Sequence, residues 1–293
     1  SPSFFEYSTE KGVKLTDKIR IRNNSGLPIT LRVSLQRLAS GRVSEVALSD
    51  PKPEDEFMSW IKLDSLTITA RPREWTDIFF TITIPDTAAF GYYFAFLISH
   101  VPQEKEAGIT KVAGGIAVPV LLNVKAPGAV LKAELLEFKT KTFINEYLPV
   151  EFIARLENSG NVHIKPRGNI FIRGADGKDM AILEVNQELG SVLPRAQRTF
   201  EGSWTDGFLV KEDDRLKVNW NKLTEFRIGR YRGYLLMVYD DGTRDVTLEQ
   251  TTTFWVIPYK IIAGILVSLL IVVFVINKLL KAYVARELEK RSR

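Results

Sequence analysis

Apolar and polar residues alternate with period two along most of the chain, the mark of strands with one buried face. In PITLRVSLQ, Ile29, Leu31, Val33 and Leu35 share one face, and Thr30, Arg32, Ser34 and Gln36 the other. DIFFTITIP repeats this with Ile78, Phe80, Ile82 and Ile84, and GIAVPVLLNV with Ile116, Val118, Val120, Leu122 and Val124. Pro119 has no N–H to give to a ladder, which places that strand at an edge or a bulge. After Ala126-Pro127-Gly128 the alternation resumes in PVEFIARLEN (Val150, Phe152, Ala154, Leu156) and in YRGYLLMVYD (Tyr231, Leu235, Met237, Tyr239). Asn24-Ser25-Gly26, Asp176-Gly177 and Asp241-Gly242 are turn signals between runs.

The two halves also match each other. Asn24 aligns with Asn158, Gly91 with Gly229, and the closing strand around Val118 with the one around Phe254. The predicted fold is all-β: two tandem immunoglobulin-like β-sandwiches, residues 1–126 and 127–255, followed by a single transmembrane α-helix, 256–280, and a basic cytoplasmic tail, 281–293. The first copy carries a longer insertion, Leu38 to Trp60. Its Pro51, Pro53 and Glu54-Asp55-Glu56 predict an exposed loop.

The helix rests on IIAGILVSLLIVVFVI, Ile261 to Ile276. Sixteen residues give about 24 Å of helix, short of a ~30 Å hydrocarbon core. The flanks close the gap: Phe254, Trp255 and Tyr259 as an aromatic belt, Leu279 and Leu280 beyond, and Lys260 and Lys278 snorkelling to the two interfaces. Residues 278–293 hold six cations and two anions, so the preceding residues carry only +1 of the net +5. A near-neutral body removes the main support for nucleic-acid binding. Cations after the span place the C-terminus in the cytoplasm and the N-terminus outside. The opening SPSFFEYS, without methionine, reads as a mature chain whose signal peptide has been removed.

Chemistry is sparse. Cysteine is absent and the only histidines are His100 and His163. Asp176 with Asp179, Asp213-Asp214, and Asp240-Asp241 with Asp245 could each offer oxygens to calcium, but none has EF-hand spacing. They read as solvated turns, and no catalytic, cofactor or metal residues are assigned. No Walker loop, dinucleotide fingerprint or GxSxG appears. Aromatic residues are the better candidates. Tyr92, Tyr93 and Phe94 lie in GYYFAF, and Trp60 and Trp75 flank the insertion region. These five are the candidate partner-binding residues, since rigid aromatics give large contact area at small entropic loss. The second copy has GRYRGY in place of GYYFAF, so the first module is expected to carry recognition and the second to act mostly as a spacer.

The segments FEYSTEKGVKLTDKIRIRNNSGLPITLRVSLQRL, WIKLDSLTITARPREWTDIFFTITIP, FGYYFAFLISHV and GIAVPVLLNV resemble the N-terminal domain of the WxL-interacting cell-surface proteins of Gram-positive bacteria. LKAELLEFKTKTFINEYLPVEFIARLENSGNVHIKPRGNIFI resembles related envelope proteins with paired Ig-like domains. The resemblance implies peptidoglycan binding by the first domain and protein binding by the second. A weaker similarity, carried by RNNSGLPI, is to periplasmic pilus chaperones and sperm-protein-like domains.

The function expected from all this is non-enzymatic: a membrane-anchored scaffold presenting two Ig-like domains to envelope proteins or cell-wall glycan, and touching lipid through its helix. The alternative is a structural subunit of a larger membrane-anchored assembly, its small residues Ala263, Gly264 and Ser268 allowing close helix approach. The topology is testable because the chain lacks cysteine. Single cysteines in the body should react with an impermeant thiol reagent on intact cells, while one near Arg293 should be spared. Labelling of the tail from outside would reverse the orientation.

Overall fold

The computed structural model describes residues 4–40, 46–101, 114–213 and 215–291, with side chains described to residue 281 apart from positions 39, 40 and 46. The first half forms β1 (Phe5–Thr9), β2 (Lys14–Arg22), β3 (Ile29–Ser40), β4 (Val46–Ser49), β5 (Ile61–Leu63), β6 (Thr67–Ala70), β7 (Trp75–Thr83), β8 (Phe90–His100) and β9 (Gly115–Val124). The second forms β10 (Ala133–Thr140), β11 (Ile144–Asn145), β12 (Val150–Asn158), β13 (Arg167–Gly174), β14 (Asp179–Val185), β15 (Gln197–Trp204), β16 (Leu209–Glu212), β17 (Arg215–Val218), β18 (Gly229–Asp240) and β19 (Asp245–Val256). An α-helix, α1 (Tyr259–Arg291), follows.

The strands form two sandwiches with separate cores. In the first, a sheet ordered β1-β9-β8-β3-β4, with β6 also on β3, faces β2-β7-β5. In the second, β11-β19-β18-β13-β14 faces β10-β12-β15. The period-two faces point inward as predicted, except at Ile116, which is exposed at the start of β9. Ile78, Phe80, Ile82 and Ile84 are buried in one core; Val150, Phe152, Ala154, Leu156, Leu235 and Met237 are buried in the other. Trp204 anchors the second core, edge-on to Tyr231 at 5.1 Å and to Phe254 at 6.2 Å. Ring pairs of this kind contribute about 0.5–1.5 kcal/mol each beyond their burial.

The repeat is real at atomic detail, in a register different from the aligned one. Asn23, not Asn24, is the counterpart of Asn158. Asn23 Nδ2 donates to the carbonyls of Leu27 (2.8 Å) and Ala70 (2.9 Å), and its Oδ1 accepts the Ser25 N–H (2.9 Å). Asn158 makes the same set with Val162 (2.9 Å), Val192 (2.8 Å) and Gly160 (2.9 Å). Each Asn carbonyl then accepts one arginine N–H, Arg73 at 2.7 Å and Arg195 at 2.8 Å. Both arginines are left-handed, with φ of 60° and 58°, and each follows a proline, Pro72 or Pro194. The other two matches shift as well. Phe90 pairs with Val124 as Gly229 pairs with Val256, so Gly229 answers Phe90 rather than Gly91, and Phe254 answers Leu122 rather than Val118.

Three further expectations change. The Leu38–Trp60 insertion is not simply a loop: β3 runs on to Ser40 and returns as β4, and a short 3₁₀ turn, Glu56–Trp60, follows. Positions 41–45 of the insertion lie outside the described residues. Phe57, Met58 and Trp60 pack onto the first core, and Asp55 turns inward, its carboxylate accepting the Lys52 N–H at 2.9 Å. Pro119 does mark a change of edge. From Val120 onward β1 pairs with β9 on its outer side, while β8 pairs with it along its inner side throughout.

The helix starts at Tyr259 rather than at residue 256, because Val256 is still paired in β19. Phe254 is not part of an aromatic belt; it is fully buried in the second core. Trp255 is half-buried in β19, whereas Tyr259, Lys260 and Lys278 are exposed on α1. Tyr259–Lys281 is long and apolar enough to cross a membrane, and none of it is buried against the sandwiches. The side chains of the basic tail beyond Lys281 lie outside the described residues.

The register correction has a direct test. Asn158→Ala and Asn23→Ala each orphan buried backbone groups and should lower stability by about 2–4 kcal/mol, whereas the exposed Asn24→Ala should stay within about 0.5 kcal/mol of wild type. Denaturant titration of the full chain in detergent, followed by tryptophan fluorescence, measures all three. Equal effects at Asn23 and Asn24 would restore the sequence alignment.

Candidate binding site at the junction of the sandwiches

The five aromatic candidates do not converge. Trp75 begins β7, whereas Ile61, the residue after Trp60, pairs with Ile82 near the other end of the same strand. Trp75 is 55% exposed, with the Arg22 guanidinium 5.8 Å from its ring. Trp60 and Tyr92 are half-buried and pack on each other at 4.8 Å, and Phe57 sits 5.3 Å from Tyr92. Phe94 is fully buried in the first core and cannot serve a partner. Tyr93 points to the other face, as alternation requires, and that face is covered by the second sandwich.

Tyr93 joins the two sandwiches. Its hydroxyl accepts the backbone N–H of His163 at 2.8 Å and lies 3.3 Å from His163 Nδ1. The opposite ring nitrogen, Nε2, is 3.1 Å from the Glu6 carboxylate. These contacts assign the tautomer: Tyr93 O–H donates to Nδ1, and Nε2–H donates to Glu6. Lys165 closes the cluster on the other Glu6 oxygen. A side-chain carbon on Gly91 would come within 1.9 Å of the Tyr93 hydroxyl, so glycine leaves the space that the tyrosine uses.

Burial sets the electrostatics. It holds the Tyr93 hydroxyl well above its ordinary range, so the group stays protonated. It pushes the His163 imidazole below its ordinary 6.5, against the opposing pull of Glu6. Burial would raise the Glu6 carboxyl, but the bonds from Lys165 and His163 outweigh it and hold Glu6 below 4.5.

Beside this cluster, the same junction encloses a cleft of about 280 Å³. Phe4, Leu38, Pro119 and Leu121 form one wall, and Leu189, Leu193 and Arg198 form the other. The loop carrying Leu189 is stapled by Asn186. The Asn186 Nδ2 donates to the carbonyls of Pro166 and Gly190, and its Oδ1 accepts the Gly190 N–H at 2.8 Å. Arg198 donates to the Ser191 carbonyl at 2.8 Å and lies against Gly190, where a side-chain carbon would meet the guanidinium at 2.4 Å. Leu189 has φ 51° and is 48% exposed at the mouth of the cleft. A leucine costs more than glycine in that conformation.

The arrangement suits an apolar side chain held beside one carboxylate, Glu188, and one guanidinium, Arg198. Among the described residues no group of three His, Asp or Glu side chains could hold a metal ion. The acidic turns use their carboxylates locally: Asp241 accepts the N–H groups of Thr243 and Arg244, and Asp176 that of Lys178. Asp214 lies outside the described residues. No motif marks Glu6, Lys165, Leu189 or Arg198 in the sequence, and none gives His163 a role.

No protein-family profile matches the chain, and no curated protein does. Among solved structures it is similar to the class 5 fimbriae chaperone CfaA, at 10% identity over 85% of this chain and 96% of that one, with a TM-score of 0.43. It is similar to the CupB2 chaperone of Pseudomonas aeruginosa, at 13% identity over 85% and 97%, TM-score 0.38. It is also similar to a Salmonella enterica complex of the SafA pilin with the SafB chaperone, at 13% identity over 85% and 93%, TM-score 0.37.

His163 and Glu6 both bind fewer protons folded than unfolded, so both contributions to stability shrink as pH falls. That of His163 is complete above pH 6.5 and is lost below it; that of Glu6 is lost below pH 4.5. The His163→Gln variant should therefore show a flatter thermal midpoint than wild type between pH 7 and pH 5, with the loss below 4.5 retained. Parallel profiles for the two proteins would remove His163 from the pH response.

Proposed function

We propose that the chain is a single-pass membrane protein that holds two immunoglobulin-like modules outside the cytoplasm and binds a protein partner without catalysing a reaction. The observation that carries this reading is Leu189: an exposed apolar side chain, in a backbone conformation that leucine disfavours, on a stapled loop at the mouth of an apolar cleft. Strain retained at a rigid, apolar opening is characteristic of binding positions. The cleft draws its walls from both modules, so recognition belongs to the pair and not to the first module alone. The unburied, apolar helix and the cations that follow it support the anchor and its orientation.

A photo-reactive phenylalanine analogue at position 4 should yield a discrete adduct with a partner protein in cells. Adding Leu189→Asp relieves the backbone, since aspartate tolerates the left-handed region, and places charge in the cleft. It should lower the adduct yield about tenfold, equivalent to ~1.4 kcal/mol, with the thermal midpoint retained. Undiminished adduct in the Leu189→Asp protein would reject the cleft as the binding site.

A further inference from the structure

The second sandwich has an insertion that the first lacks. From β7 to β8 the chain uses residues 84–89, whereas from β15 to β18, the corresponding strands, it runs through residues 205–228. That segment folds as the β16–β17 hairpin and a short 3₁₀ stretch, Trp220–Glu225. The Asn219 N–H donates to the Phe208 carbonyl at 2.8 Å, and the Phe208 N–H to Glu225 at 3.1 Å. Phe208 holds it from inside, 5.6 Å from Trp220 and 5.8 Å from Phe226. On the outside, Trp220 is 73% and Leu223 60% exposed, with Phe226 and Ile228 exposed beside them.

Strand pairing fixes where this apolar surface lies. Gly229, which follows it, pairs with Val256 at the end of β19; Trp204, which precedes it, pairs with Val150; and Val210 bridges Leu148. The insertion therefore sits at the end of the sandwich from which α1 departs. The start of β11 reaches the same end with Phe143 and Ile144 exposed, the Phe143 carbonyl accepting the Trp255 N–H at 2.9 Å. Just beyond it Glu146 pairs with Lys260, in the first turn of α1, at 2.7 Å. Six exposed apolar side chains from two segments thus gather at the root of a helix long and apolar enough to cross a membrane.

Charge does not explain the surface. Residues 205–228 hold five cations and five anions. Lys217 pairs with Glu212, Lys222 with Asp206, and Arg227 with Glu225. What the segment offers outward is apolar area with no net charge.

We propose that Phe143, Ile144, Trp220, Leu223, Phe226 and Ile228 form a membrane-docking surface that sinks into the lipid interface around the root of α1. The second sandwich then stands on the bilayer instead of swinging from a tether. Lipid is the occupant because the surface is continuous with the helix, and tryptophan and aliphatic side chains suit the interfacial layer. With no net charge, docking depends on apolar burial and works on zwitterionic lipid. The proposal rests on the reading of α1 as a membrane span, and the experiment separates the two.

The full chain, which has no cysteine of its own, is reconstituted into phosphatidylcholine vesicles carrying one spin label in place of Leu223, Phe143, Leu27 or Leu270. Collision with oxygen, enriched in lipid, is compared with collision with an aqueous nickel chelate. Labels at 223 and 143 should favour oxygen by at least fivefold relative to the label at 27, which is exposed in the first sandwich. A label at 223 as open to nickel as that at 27, with the label at 270 in lipid, overturns the docking surface and leaves the anchor standing. A label at 223 shielded from both reagents points to a second protein copy and also overturns it. A label at 270 open to nickel sinks the anchor, and the docking proposal with it.

Discussion

Tyr93 leaves the first sandwich and ends against the second, and the angle between the two depends on the bonds made there. The connection through residues 125–132 is bonded to the first sandwich at Lys125 and to the second at Gly128, Val130 and Lys132, which leaves Ala126 and Pro127 between the two anchors, and no disulfide restrains it. Hydrogen bonds are directional, however, and a buried donor or acceptor left unpaired costs about 1–3 kcal/mol. Any rotation that parts the Tyr93 hydroxyl from His163 also parts His163 from Glu6, which lies on the other sandwich. The cluster therefore favours one orientation. The cleft beside it exists only in that orientation, because Leu121 and Pro119 come from one body and Leu189 and Leu193 from the other.

The repeat explains how the chain stacks. In each copy the last strand exits at the end where a short parallel strand, β1 or β11, joins its edge. In the first copy the sheet face beside that end carries Tyr93 and is covered by the second copy. In the second copy that end carries α1 and the 205–228 insertion. The same end of the same fold thus lies beside a protein junction once and at the root of the apolar helix once. At this end the first copy has only the short connection 84–89, whereas the second has the longer 205–228 segment with its exposed apolar side chains.

How much of this was legible follows from which interactions are local. Alternation marked Phe80, Phe152, Leu235 and their neighbours as core because inward faces repeat every second residue. It marked α1 because a long apolar run is local too. Alternation also separated Tyr92 and Phe94 from Tyr93, but it cannot say what covers the second face, and that cover comes from His163, seventy residues away. The asparagine match falls one residue out of register because Asn23 and Asn24 are chemically identical, and the closing-strand match falls four out because apolar residues recur there at every second position. The Pro72-Arg73 and Pro194-Arg195 pairs were the signal that would have settled it, since each arginine N–H returns to the correct asparagine. The cleft left no motif at all, because its walls come from four separate stretches of chain. The 205–228 insertion has neither a helical nor a strand period to mark it.

Several residues other than glycine adopt left-handed backbone, and most have a visible reason. Arg73 and Arg195 return an N–H to the turn asparagines, Asn186 staples its loop, and Phe90 takes the place that glycine fills in the second copy. Leu189 differs. Its N–H closes a turn onto the Asn186 carbonyl at 2.9 Å, but glycine or asparagine would close that turn with less strain. Nor is leucine needed for the core, since about half of its surface is exposed. What leucine adds over the easier residues is apolar area at the opening of the cleft. The strain at this position is therefore better explained by what enters from outside than by what lies beneath it.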